Sequence, residues 1–255
     1  MHSVPSLKGA PRPTTLRDAR KLGLLPSVTN ILGVIAKPEL TAWLQTQAVM
    51  AALTLPRIAG ETEDAFAKRV VEDSQTTRDG AADFGTAFHH GAECVAQTLE
   101  VDAAHPAADW LKHYRCWYQG NALALRWTEK VLIHPEGCYA GTADLLIEHP
   151  VHGLTLVDLK TMKIKPGAKP SPYKSWCYQL AAYRVALGEP VRCMNLIVNS
   201  TEPALPIEHL WSEDEIQLGW QAFMAAHRLW CIEKNYDPVA SASRTGQPGE
   251  MVLTA

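Results

Sequence analysis

The sequence predicts an α/β (α+β) protein: a central mixed sheet flanked by helices, with a helical region ahead of it. Three observations predict this. Apolar residues recur at helical spacing through most of the stretch from Pro26 to Leu125. From Trp127 the texture changes to three short runs, WTEKVLIH, CYAGTADLLIE and LTLVDLKT, separated by the turn-forming PEG and HPVHG. A helical pattern, two more short apolar runs and a final helical pattern then follow.

Taken in order, residues 1–25 carry Pro, Lys and Arg without periodicity and read as a flexible arm. A helical stretch begins at Pro26. Ser27 or Thr29 can cap it, Pro38 interrupts it, and Leu40, Trp43, Leu44 and Ala48 then recur at helical spacing. Residues 61–79 read as a separate helix with Phe66 and Val70 four apart. DFGTAFHHGAECVAQTLE reads as the next, with Phe88, Ala92, Val95, Ala96 and Leu99 on one face. Residues 107–125 continue as a helix rich in Trp and Tyr. The three runs from Trp127 form a meander of strands, and residues 161–174 a Lys/Pro-rich loop. WCYQLAAYRVAL is a helix ended by Gly188. MNLIVNS and PIEHLW are strands, and Ser212 to Glu215 is a capping box opening a last helix that runs to Asn235. The Ser/Gly/Pro-rich tail reads as flexible. The expected organisation is an arm (1–25), a helical region (26–126), a sheet-bearing core (127–237) and a tail (238–255).

Composition narrows the classes. With 255 residues, 47% hydrophobic and 20% charged, the chain suits a soluble globular protein of one large domain, or of one domain with a helical appendage. A net charge of −3 excludes a broadly basic surface, though not a local basic groove. The six cysteines include no CxxC pair, so zinc-ribbon spacing is absent, and an iron–sulfur site assembled from scattered cysteines is the minor alternative. Isolated thiols suit a reducing compartment. MHSVPSLKGAPRP lacks the apolar segment of a signal peptide, and no apolar run approaches the ~20 residues that span a bilayer. A cytoplasmic protein with no membrane partner is expected. GxSxG, Walker A, GxGxxG and HExxH patterns are all absent.

The chemistry concentrates between Gly141 and Lys160. In LTLVDLK, alternation turns Leu156, Asp158 and Lys160 to one face and Leu159 to the other. A hairpin brings Asp144 on the preceding strand across from Asp158. Two converging carboxylates repel unless a cation lies between them, and such hard oxygen ligands suit Mg²⁺ or Mn²⁺. Lys160 is placed to orient or deprotonate a water, or to neutralise charge on a phosphate. His89 and Glu93, four apart at the shoulder of an apolar helical stripe, lie toward the sheet, and an imidazole there favours Mn²⁺. His90 is the competing histidine. Gln179 and Tyr183, also four apart, can hold Lys160 or a phosphate by hydrogen bonds. Tyr183 reads equally as a core aromatic. Lys163, Lys165 and Lys169 follow the site in a loop suited to tracking phosphates. Glu129 reads as a surface charge, with pairing to Lys160 the alternative.

Together GTxxHxxxE (Gly85 to Glu93), GTxD (Gly141 to Asp144), DLK (Asp158 to Lys160) and QxxxY (Gln179 to Tyr183) resemble the PD-(D/E)XK nuclease superfamily in its RecB-like branch. The opening PSVTNILGVIAKPELTAW is similar to that of phage-encoded exonucleases related to the mitochondrial genome maintenance exonuclease. The resemblance covers about Pro26 to Leu187. It implies a restriction-endonuclease-like core that hydrolyses DNA phosphodiesters with Mg²⁺ or Mn²⁺. By match to the motifs, Asp144, Asp158, His89 and the Leu159 carbonyl would be metal ligands and Lys160 the catalytic lysine. Glu93 would be the acidic helix position, and Gln179 and Tyr183 DNA contacts. A phage or prophage exonuclease of DNA recombination, replication or degradation is implied, with a single-strand annealing or other recombination protein as a possible partner. Ala143 stands where the superfamily places a proline, as in many members of this branch. An endonuclease and a non-catalytic DNA- or partner-binding module are the competing expectations.

Overall fold

The computed structural model describes residues 3–5 and 11–240. A short antiparallel pair, β1 (Ser3–Pro5) and β2 (Pro11–Pro13), comes first. Helix α1 (Leu16–Leu22) lies inside the stretch predicted as an arm. Its capping box, Thr15 with Asp18, and its C-cap Gly23 at φ 65° supply the stop signals that a periodicity search passes over in so short a segment. Most of the flexible tail expected over 238–255, residues 241–255, lies outside the described residues.

Helix α2 (Val28–Leu32) is capped by Ser27, and α3 (Pro38–Thr54) starts with proline in its first turn. The two helices predicted for 61–79 and the GTAFHHG segment are one, α4 (Glu63–Ala96), capped by Thr62. Its 34 residues span about 50 Å. Gly80 sits mid-helix with nothing near its missing Cβ. Each of the helix's three interior glycines, Gly80, Gly85 and Gly91, costs about 1 kcal/mol, which packing further along the helix overrides. Helix α5 (Ala108–Asn121) follows.

The five-stranded sheet has the order β3-β4-β5-β6-β7, comprising β3 (Ala124–Ile133), β4 (Ala140–His149), β5 (Gly153–Met162), β6 (Arg192–Asn199) and β7 (Ile207–Trp211). Only β5 and β6 run parallel, linked through α6 (Lys174–Leu187), so the sheet is mixed as predicted. Strand β3 starts three residues before Trp127 because a register shift between Leu125 and Trp127 breaks the alternation that marks a strand in sequence. Helix α6 ends at Gly188 with φ 73°. Helix α7 (Glu213–Lys234) opens with the Ser212–Glu215 capping box and closes at Asn235 in the left-handed region.

Each face of the sheet is covered. On one, Leu156 and Leu146 pack with Val28, Leu180, Phe223 and Trp230 from α2, α6 and α7. On the other, Leu145, Val157 and Leu159 pack with Phe88, Leu111 and Tyr114 from α4 and α5. Each such large side chain contributes roughly 1.5–3 kcal/mol by leaving water. The opposite placement of Leu156 and Leu159 is the alternation read from LTLVDLK. Helix α3 packs along α4 and leaves Val49, Met50 and Leu53 exposed. No helix among the described residues is long and apolar enough to cross a membrane.

Candidate active site

The site lies where the β4–β5 ladder stops. The pairing ends at Leu145↔Val157, leaving Asp144 and Asp158 as the next residues beyond it. Asp144 replaces the missing backbone acceptor. Its Oδ2 accepts the Leu159 N–H at 2.6 Å, and its other oxygen, Oδ1, lies 3.7 Å from His89 Nδ1. One carboxylate thus closes the sheet and faces outward to α4.

Asp158 is 1% exposed. Its Oδ2 receives Lys160 Nζ at 2.6 Å and Asn195 Nδ2 at 2.7 Å. Asn195 is its register partner on β6, and is itself held through Oδ1 by Trp211 Nε1 at 2.6 Å. Oδ1 of Asp158 is buried with no hydrogen-bond partner. Burial pushes this carboxyl above the ordinary carboxylate range; Lys160 opposes that rise and Asp144 adds to it. Lys160 also donates to Gln179 Oε1 at 3.1 Å, and Gln179 Nε2 donates to Tyr183 OH at 3.1 Å. The i, i+4 pair on α6 therefore forms a chain that aims the lysine.

Of the residues picked out from sequence, Asp144, Asp158, Lys160, His89 and Gln179 come together. Leu159 joins through its backbone, while its side chain is buried in the α4/α5 face. His89 is half-buried and His90 exposed, which separates the two histidines. Tyr183 is 3% exposed, and its hydroxyl accepts from Gln179 Nε2. Glu93 is half-buried, with Oε1 accepting from Gln97 at 3.0 Å. Lys163, Lys165 and Lys169 are exposed in the loop after β5. Lys163 lines a cleft of about 270 Å³ with Gly80, Ala81, Phe84 and Ser200. A larger cleft of about 490 Å³, between α6 and α7, is lined by none of the site residues.

Three further residues belong to the constellation. Asn195 carried a legible signal, since an amide inside the apolar run MNLIV needs a partner. Trp211 gave none. Glu129, expected at the surface or on Lys160, does neither. It is half-buried, its ligand atoms lie with those of His89 and Asp144 within 4.8 Å, and Lys160 is taken by Asp158 and Gln179. Burial, then the charges of Asp144, Glu93 and Asp158, push its carboxyl up to about 7.

Two glycines of the motifs are explained by approach distances. A Cβ at Gly141 would stand 2.7 Å from the Tyr183 ring, and one at Gly85 would stand 3.3 Å from Thr161 Oγ1. The first lets α6 seat its tyrosine against β4; the second lets α4 lie close to β5.

The donor set fits a hard divalent cation: carboxylates from two strands, an imidazole, and a buried oxygen left without a partner. The six cysteines are free, and four of them are buried.

No protein-family model matches the chain, and no curated protein does. Among solved structures, that of SSO0001 overlaps with a TM-score of 0.34 at 12% identity, covering 83% of this chain and 97% of that one. LHK-Exo in complex with dAMP gives 0.33 at 15% identity, over 89% and 97%. A second structure of LHK-Exo, an alkaline exonuclease from Laribacter hongkongensis, gives 0.29 at 16%, over 81% and 100%. At TM-scores this low the likeness says nothing of activity.

Proposed function

We propose that the chain is a divalent-cation-dependent nuclease that hydrolyses DNA phosphodiesters, acting as an exonuclease. The observation that carries this reading is the junction of β4 and β5. Asp144 leaves the ladder to cap Leu159 and face His89, beside a buried Asp158 with one oxygen unmatched. Nothing in the packing of a sheet calls for that arrangement, and it costs stability unless a cation is bound.

Asp144, Asp158 and His89 would hold Mg²⁺ or Mn²⁺, with the Leu159 carbonyl assisting. When bound, the cation supplies charge stabilisation to the phosphoryl oxygens. The remaining work falls to the chain. Lys160, held by Asp158 and Gln179, keeps an ammonium at the reacting phosphate, where it orients the attacking water and offsets developing charge. Tyr183 fixes Gln179 and so the lysine. Lys163, Lys165 and Lys169 supply exposed cations along the backbone of the strand, a local basic path on a chain with net charge −3.

The test is digestion of end-labelled linear DNA and of covalently closed circles, each with Mg²⁺ and with Mn²⁺. Release of nucleotides from ends with circles intact is expected, and Asp158→Ala and Lys160→Ala abolish it. Cleavage of the circle converts the assignment to an endonuclease. Full activity in both variants overturns the site, and metal binding without any cleavage supports a non-catalytic module.

A further inference from the structure

Glu129 occupies a place that a β-strand does not ordinarily give a glutamate. The pairs Thr128↔Leu145 and Lys130↔Ala143 set it across from Asp144 inside β3. Its backbone has φ 47°, a left-handed conformation that a non-glycine residue keeps only where its surroundings impose it. No described residue gives its carboxylate a hydrogen bond or an ion pair, and the charges bearing on it are those of Asp144, Glu93 and Asp158, all negative. Its ligand atoms and those of His89 and Asp144 lie within 4.8 Å of one another. Around an octahedral cation with ligands at about 2.1 Å, opposed donors stand roughly 4.2 Å apart and adjacent ones roughly 3.0 Å, so side-chain movements of up to about 1–2 Å bring the three onto one ion. The unpartnered, fully buried Oδ1 of Asp158 is a separate sign that a ligand-side partner is missing here.

We propose that Glu129 is a ligand of a divalent cation, shared with His89 and Asp144. This rests on the cluster being a cation site and adds the residue that β3 contributes. It also accounts for the irregular course of β3: the register shift near Arg126 and the left-handed turn at Glu129 aim a strand side chain at the mouth of the β4–β5 junction. The site then draws on β3, β4, β5 and α4.

Mn²⁺ binding by calorimetry, and free Mn²⁺ by electron paramagnetic resonance, test it on the wild type, Glu129→Gln, Glu129→Gly and the exposed control Glu202→Gln. Each Glu129 variant should weaken Mn²⁺ binding by about 10- to 100-fold or lower the stoichiometry, with the control unchanged. Glycine relieves the backbone, so Glu129→Gly should also melt higher than wild type in a chelator while gaining less from added Mn²⁺. Unchanged Mn²⁺ affinity and stoichiometry in both variants overturn the proposal. DNA cleavage, followed in parallel, separates the two readings. A wild type that binds Mn²⁺ through Glu129 yet cuts no DNA overturns the nuclease and keeps the ligand. A wild type that binds no Mn²⁺ overturns both.

Discussion

Of the histidine–carboxylate clusters among the described residues, two are built to opposite specifications. In one, His89 meets Asp144 at 3.7 Å with Glu129 close by. In the other, His149 meets Glu208 at 3.4 Å with His152 stacked on its ring, centroids 4.6 Å apart. The second is satisfied. His149 Nδ1 accepts the N–H groups of Val151 and His152, so in the neutral ring the proton sits on Nε2 and points at Glu208. Glu208 also accepts Trp117 Nε1 at 2.7 Å. With its second nitrogen protonated, His149 has no lone pair left for a metal. It ties the β4–β5 turn to β7 and α5. The first cluster has more acid than its neighbours can neutralise, and the neighbouring Asp158 keeps a buried oxygen with no partner. Proximity of imidazole and carboxylate is common to both, and what distinguishes a site from a brace is which donors and acceptors remain unspent.

The comparison can be broken from either side. The largest effect belongs to the unsatisfied cluster: Asp158→Asn or Lys160→Ala should lower DNA cleavage by on the order of 10³-fold, with the fold retained by circular dichroism. A rate within threefold of wild type would make the two clusters equivalent. Next comes the satisfied cluster. His149→Ala strips two backbone N–H groups of their acceptor and Glu208 of one of its two partners, and should destabilise the protein by about 2–3 kcal/mol in urea unfolding while cleavage per folded molecule stays unchanged.

The third test uses pH on metal-free protein. Glu129 has its carboxyl raised from 4.5 to about 7 in the fold, so the folded state holds a proton that the unfolded state has released. Its contribution is therefore greatest below 4.5, and stability falls as pH rises through about 7. Glu129→Gln should flatten that slope in chelator-treated samples, and an unaltered slope would remove Glu129 from the charged cluster. The smallest effect is in the loop: Lys163→Ala or Lys165→Ala should weaken DNA binding modestly and reduce the salt slope by about 1 each, read from affinity against log salt.

Much of the sheet and the positions of its acids were legible because strand alternation and turn residues are local signals. LTLVDLK places Asp158 and Lys160 together by period alone. Other features were hidden because they depend on what the backbone does between elements. Asp144 works by capping Leu159 where two strands part, and no spacing reports where a ladder ends. Glu129 was hidden by the register shift at Leu125/Trp127, which scrambles the face count, and by a backbone angle that propensity does not assign to glutamate. Helix α4 read as two because Gly80 and the polar stretch around it suggest an end that packing of Phe88, Ala92 and Val95 overrides.

The 2.7 Å that separates an imagined methyl at Gly141 from the Tyr183 ring makes these two positions a single unit of variation. A bulkier residue on the strand would evict the aromatic and, with it, the support for Gln179 beneath the lysine. Sequences descended from a common ancestor should therefore change at 141 and 183 in concert, the strand position enlarging only where the helix position has shrunk.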